Sequence, residues 1–270
     1  MRKAIVLLLL IFTCHSPAQV AARAYTESAN NVFTVLVDND EYCPVTVLID
    51  YQIVNMKDAK AHKIPVVVPA RTKKFEVDRL VPANPAKAAK LSFKSLIQFG
   101  DVTQTQYDRD HEYWLPFKTG QSFKIDQGYN GKFSHKGENA LDFSMKIGTE
   151  VTAVRDGKVI QVVTRHNRGC KEESCKQFNN YIIIQHGDGT FAEYTHIKQN
   201  GTSLKPGDTV RAGDVIAISG NTGYSSGPHL HLVVFLQRMD RRETIQTKFR
   251  TGDGTKTEAL IEHASYSRSY

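Results

Sequence analysis

Two histidines, His229 and His231, stand two residues apart in Gly227-Pro228-His229-Leu230-His231-Leu232, alternating with leucines as in a half-buried strand. At that spacing both imidazoles project from one face, with Cα atoms about 6.6 Å apart at ~3.3 Å per residue. One ring can bind a metal while the other faces a water on that metal; an isolated pair reads better as two partly exposed surface histidines. His135 and Asp142 bracket the turn-like segment Lys136-Gly137-Glu138-Asn139-Ala140-Leu141 and offer a nitrogen and an oxygen. Zinc takes such atoms at about 2.0–2.2 Å. Asp142 by itself has the ordinary reading of a turn residue. Its place between Leu141 and Phe143, however, turns a carboxylate to one side of a strand, where it needs a partner. His196 closes Ala192-Glu193-Tyr194-Thr195-His196-Ile197, and in isolation it reads as an exposed strand-end histidine. His166 and His186 read as surface residues, and His62, His111 and His263 lie outside any constellation.

The elements that must position these groups are strands. From Tyr25 to about Asp110 short β-branched runs recur: Val32–Val37, Val45–Ile53, Ile64–Val68 and Lys74–Val77, broken by turn residues such as Asp38-Asn39-Asp40-Glu41. That pattern predicts a small antiparallel sandwich, immunoglobulin-like in general form, over residues 25–112. It holds no cluster of His, Cys or acids, and its expected role is targeting or positioning. Residues 113–270 read as a second all-β domain, an antiparallel sheet or flattened barrel. Its strands are Val151–Val154, Gly157–Val163, Tyr181–Gln185, Asp208–Val210, Val215–Ser219 and Leu230–Phe235. From Arg241 onward the chain reads as a polar tail with one weak strand at Thr247–Arg250.

Composition places these domains outside the cytoplasm. Arg2 and Lys3 precede the apolar run Ala4–Phe12, and Ala22-Arg23-Ala24 supplies small residues before a cut. This is the form of a secretory signal peptide over residues 1–24, with cleavage after Ala24 and an exported, periplasmic or secreted product. The apolar core is too short for a comfortable span, and no later stretch approaches the ~18 apolar residues that a membrane helix needs. Removing the leader takes basic residues from 35 to 32 against 28 acids, leaving +4. No basic run with interleaved aromatics occurs, so nucleic acid is not an indicated partner. Three cysteines remain, and export permits a disulfide. Cys170 and Cys175 close a short loop and form the favoured pair, leaving Cys43 odd and buried.

Taken in order, these motifs resemble the lysostaphin-type, or LytM-like, zinc metallopeptidases. The resemblance is carried by His135…Asp142, then Tyr194-Thr195-His196, then Ser219-Gly220-Asn221-Thr222-Gly223-Tyr224-Ser225-Ser226-Gly227-Pro228-His229-Leu230-His231. Gly148–Val159 and Leu204–Asp214 support it, and it covers roughly Gly128 to Phe235. Six residues separate His135 from Asp142, more than in many members, and match a longer-spaced subgroup. The resemblance implies Zn2+ held by His135, Asp142 and His231, with His196 and His229 as catalytic histidines that do not bind the metal. Two histidines and one aspartate leave a fourth tetrahedral position open, as in catalytic zinc. No HExxH glutamate is present, so a neutral histidine would take the water's proton and its imidazolium would serve the oxyanion or the leaving amine. The implied activity is a metalloendopeptidase acting on peptide stems of peptidoglycan. The alternative is a non-catalytic wall-binding or hydrolase-activating module of the same fold. A carboxypeptidase or amidase on the same polymer shares the same metal chemistry.

Overall fold

The computed structural model describes residues 20–57 and 64–270. Most of the expected leader, and His62, therefore lie outside the described residues. Six strands come first: β1 (Ala22–Ala29), β2 (Val32–Asn39), β3 (Val45–Val54), β4 (Val66–Val68), β5 (Phe75–Leu80) and β6 (Lys90–Phe99). They form two antiparallel sheets, ordered β1-β2-β5 and β4-β3-β6. Val35, Val37, Val45, Val47, Ile49 and Leu80 belong to one core shared by both sheets. The β-branched runs seen in the sequence become β2 to β5.

Strand β1 is the departure from expectation, because it runs through the proposed cleavage point. Asn30 and Asn31, both with positive φ (50° and 62°), make the two-residue turn that folds β1 onto β2. Such a turn matches the twist of the paired strands, and asparagine tolerates the left-handed region it requires. Ala22 and Ala24 pack against the shared core together with Val20. The Ala21 amide donates to Glu41 Oε1 at 2.7 Å, and Arg23 pairs with Asp38 at 2.9 Å. Residues 22–24 are thus strand residues, and Val20 and Ala21 are held against them by packing and a hydrogen bond.

The second half is organised by one nine-stranded antiparallel sheet. Its members are β7 (Ser122–Gln127), β8 (Ala140–Phe143), β9 (Gly157–Val163), β10 (Tyr181–Gln185), β11 (Phe191–Thr195), β12 (Thr209–Val210), β13 (Leu230–Gln237), β14 (Arg242–Thr244) and β15 (Ser265–Ser267). The order is β12-β9-β10-β11-β13-β8-β7-β15, with β14 paired to β13. It is an open sheet with edges, not a closed barrel. Alternation along β13 divides its two faces: Leu230, Leu232, Val234 and Leu236 enter the main core, while Val233 and Phe235 enter a separate one. That second core holds Cys43 and Phe99 of the first half, so the N-terminal sheets rest on the same sheet face as His231. Phe99 meets Phe191 edge-on at 5.1 Å between ring centres.

The C-terminal segment is more than a polar tail. Strands Lys248–Thr251 and Lys256–Glu258 and β15 fold back, and Phe249, Leu260 and Tyr266 fill the main core. Arg268 is 5% exposed and donates to the Phe117 carbonyl at 2.7 Å. Single apolar residues spaced far apart give no periodic signal, which is why the sequence pattern does not show them as core.

Because β1 is part of a sheet, a chain starting at Tyr25 is expected to be less stable than one starting at Gln19. It loses a hydrogen bond to a carboxylate and the packing of Val20, Ala22 and Ala24, roughly 2–4 kcal/mol in all. Urea unfolding of the two chains, followed by circular dichroism, measures this; equal midpoints would show that β1 is dispensable.

Candidate metal centre

Registry across the large sheet sets out the site. Pairing places Asp142 of β8 opposite His231 of β13, His231 opposite Thr195 of β11, Thr195 opposite Tyr181 of β10, and Tyr181 opposite Val163 of β9. These five side chains form one row on one face, since cross-strand partners point the same way. The neighbouring row is Ala140, Val233, Glu193, Ile183 and Gln161. Asp142 is therefore a strand residue, with Leu141 and Phe143 turned into the main core. His229 sits just before β13, not on it, yet its Nε2 still comes within 3.7 Å of Asp142 Oδ1.

His135 arrives from the loop after β7. Its Nδ1–H donates to the Gly128 carbonyl at 3.0 Å, which fixes the tautomer and leaves a lone pair on Nε2. That Nε2 lies 3.2 Å from Asp142 Oδ1 and 3.2 Å from His231 Nδ1, and His231 Nδ1 lies 3.0 Å from the same Oδ1. Two ring nitrogens and a carboxylate oxygen thus converge in a near-equilateral triangle. A tetrahedral zinc with bonds of ~2.1 Å has ligand-to-ligand edges of ~3.4 Å, close to these sides. Convergent lone pairs in a buried place call for a cation, and a two-nitrogen, one-oxygen donor set suits zinc. Burial works against charge on His135, but the adjacent Asp142 carboxylate raises its pKa overall. Burial also opposes the Asp142 carboxylate, which the neighbouring His135, His231 and His229 nevertheless hold well below the usual range.

Gln127, at the end of β7, is a residue the sequence reading missed. Its Nε2 donates to Asp142 Oδ2 at 3.0 Å, while its Oε1 accepts from the amides of Phe133 and Ser134. One side chain therefore aims the carboxylate and pins the loop that delivers His135. A lone glutamine beside glycine carries no pattern from which this could be read.

Beside the triangle sit the other two histidines, with ring centres 4.4 Å apart. His196 Nδ1–H donates to the Thr222 carbonyl at 2.6 Å, and His229 Nδ1–H to the Gly227 carbonyl at 2.8 Å. Both rings therefore keep an Nε2 lone pair as acceptor. His196 adopts φ 68°, a left-handed conformation that costs a non-glycine residue about 1 kcal/mol. Burial, together with the nearby His229 and His231, pushes its pKa down to about 3 and keeps it neutral. Ser225 Oγ lies 2.7 Å from both Asn221 Oδ1 and the Gly227 carbonyl, bracing the loop that presents His229. A groove of about 970 Å³ runs from this cluster along the row to Tyr181 and Val163.

The disulfide Cys170–Cys175 forms as expected, and burial pushes the free Cys43 thiol up to about 12. The bridge holds the 3-10 helix Glu173–Phe178, whose Glu173, Lys176 and Gln177 face the groove. His166 also lines the groove. His186 is not a surface residue. It is buried beside Tyr113, with Nδ1 2.9 Å from Thr190 Oγ1, and burial lowers its pKa to about 3. The turn motif around it exposes the backbone, whereas registry turns this ring inward.

Comparison with known proteins agrees with this geometry. Residues 136–242 match the model of peptidase family M23. An uncharacterized metalloprotease of Buchnera aphidicola subsp. Baizongia pistaciae is 35% identical over 161 residues, 57% of this chain and 39% of that protein. The peptidoglycan DD-endopeptidase ShyA of Vibrio cholerae is 40% identical over 93 residues, 34% of this chain and 19% of its own length. The glycyl-glycine endopeptidase ALE-1 of Staphylococcus capitis is 36% identical over 121 residues, 44% of this chain and 29% of its own length. This chain spans well under half the length of these relatives.

Two outcomes are expected. His231→Ala abolishes zinc retention, His229→Ala leaves it near the wild-type level, and Gln127→Ala weakens affinity roughly 10–100-fold, as loss of a ligand's partner does. Metal analysis and competition with a chromogenic chelator measure all three, and full zinc in His231→Ala would exclude the triangle. Separately, His186 has a folded pKa of about 3 against 6.5 unfolded, so it resists a proton the unfolded chain accepts. Stability is unaffected above pH 6.5 and falls as pH drops below it, by roughly 1–2 kcal/mol at pH 5. His186→Gln is expected to flatten that part of the urea-midpoint profile.

Proposed function

We propose that this protein is an exported zinc metalloendopeptidase that hydrolyses peptide cross-links in bacterial peptidoglycan. The observation that carries this is the triangle of His135, Asp142 and His231 with two neutral histidines beside it, at one end of a groove. Similarity to ShyA and ALE-1, both named as endopeptidases, supports the substrate class. A non-catalytic module would have no need for the complete set of five residues.

In this reading His135 Nε2, Asp142 and His231 Nδ1 hold the metal, and Gln127 and the Gly128 carbonyl hold those ligands in place. Zinc, when bound, supplies Lewis-acid polarisation of the scissile carbonyl and lowers the pKa of water towards ~7. His229 is open to the groove and close to Asp142, so its Nε2 receives the proton of the attacking water and returns it to the leaving amine. His196 stays neutral through burial and accepts a hydrogen bond that orients the reacting water. The carbonyls of Thr222 and Gly227 keep both rings in the tautomer this needs.

Export is supported by the Cys170–Cys175 bridge, since disulfides persist in oxidising compartments. The leader is cut before Val20, not after Ala24, because Val20, Ala22 and Ala24 pack into the first sheet pair. Ser16 and Ala18 supply small residues at the −3 and −1 positions of a cut before Gln19. The six-stranded N-terminal unit is an immunoglobulin-like sandwich that positions the enzyme, joined to the peptidase domain near residue 112.

Purified peptidoglycan incubated with the zinc-loaded protein is expected to release new amino termini, counted by amine labelling. A chelator stops release and His229→Ala slows it about 10²–10⁴-fold. Release that survives both treatments would overturn the assignment.

A further inference from the structure

The groove floor beyond the metal has a charge pattern that the hydrolytic chemistry does not use. Its lining carries Arg165, Lys171, Lys176 and Arg242 against Glu138, Glu173 and Glu193, besides Asp142 of the triangle. Lys176 is paired with Glu173 at 2.6 Å. Glu193 has both oxygens engaged, Oε1 by the Thr195 hydroxyl at 2.9 Å and Oε2 by Arg242 at 2.8 Å. Arg242 also lies over the Phe235 ring, its guanidinium carbon 4.4 Å from the ring centre, and its ion pair to Glu193 uses one of its five N–H donors. Arg165 is exposed just past β9, and among the described residues its side chain has no ion-pair partner. Registry brings these groups together: Tyr181 pairs with Val163, two residues before Arg165, and with Thr195, two residues after Glu193, and all of Arg165, Tyr181, Glu193 and Arg242 line the groove.

We infer that Arg165, Arg242 and the Tyr181 hydroxyl form a subsite for a free carboxylate on the peptide being cut. Tyr181 is two strands from His231 along the row, about 10 Å at ~4.8 Å per strand. An extended peptide crosses that distance in about three residues, so the subsite reads a position near the scissile bond without touching it. Glu193 is a positioning residue here: it neutralises one charge of the pair and sets the angle of Arg242. The guanidinium fork matches a carboxylate in shape as well as charge. This inference rests on the endopeptidase reading for its substrate.

The test uses two synthetic cross-link peptides, identical except that one carries free carboxylates and the other carboxamides. The acid peptide is expected to show a KM about tenfold lower, the size of one charged hydrogen-bonded contact. Arg165→Glu is expected to erase or reverse that preference, and Arg242→Gln to reduce it. Arg165 is exposed and unpaired, so its variant folds even if loss of the Arg242 stack disturbs the domain contact. Calorimetric binding of both peptides to the zinc-loaded protein gives a second readout. If neither peptide is cut but the acid form binds more tightly, the endopeptidase reading fails and the subsite stands. Equal KM and equal binding, or a preference untouched in Arg165→Glu, would overturn the subsite.

Discussion

Alternation along a single strand, Leu230–Gln237, is the constraint on which the rest of the structure depends. Side chains of a strand point to opposite faces with a period of two. The leucines and Val234 on one face anchor the main core, so the other face must display His231, Val233 and Phe235 in sequence. These three are, in order, a corner of the metal triangle, the border of the groove floor and the seat of the N-terminal sheets. A shift of one residue would bury the histidine and expose four large apolar side chains, so packing energy enforces the geometry of the site.

The site is assembled from acceptors. His135, His196 and His229 keep lone pairs on Nε2 because backbone carbonyls hold their other nitrogens as donors, and the Asp142 carboxylate adds its own. Such a cluster is costly in a buried place unless a cation completes it, and the partners behind the ligands keep the rings from turning away. Gln127 serves both purposes, since it bonds the carboxylate and the loop that carries His135.

The same sheet face joins chemistry to architecture. Phe191 and Phe235 stack together and receive Phe99 from the first half, while Glu193 and Arg242 stand between that aromatic contact and the metal row. The N-terminal sheets pack on the same sheet face as the groove, whose lining comes wholly from the second half, and the disulfide-braced segment from Cys170 to Phe178 supplies residues to its wall.

The β-rich class, most strands of the second half, the five clustered residues and the Cys170–Cys175 pair were legible in the sequence. Alternation, glycine-bounded turns and motif order are local properties that survive without coordinates. What the sequence did not reveal depends on registry and on single contacts between distant segments. Ala22-Arg23-Ala24 has the small-residue pattern of a cleavage site, and only pairing with β2 makes it a strand. Phe249, Leu260 and Tyr266 are too sparse to form a pattern, yet folding back places each in the core. His186 follows a strand beside a turn, and the direction of its side chain made it a buried neutral ring. Residue type and order determined which atoms were available for chemistry, and tertiary structure decided which nitrogen faces which, because tautomer and orientation are set by carbonyls at Gly128, Thr222 and Gly227 that no side-chain pattern encodes.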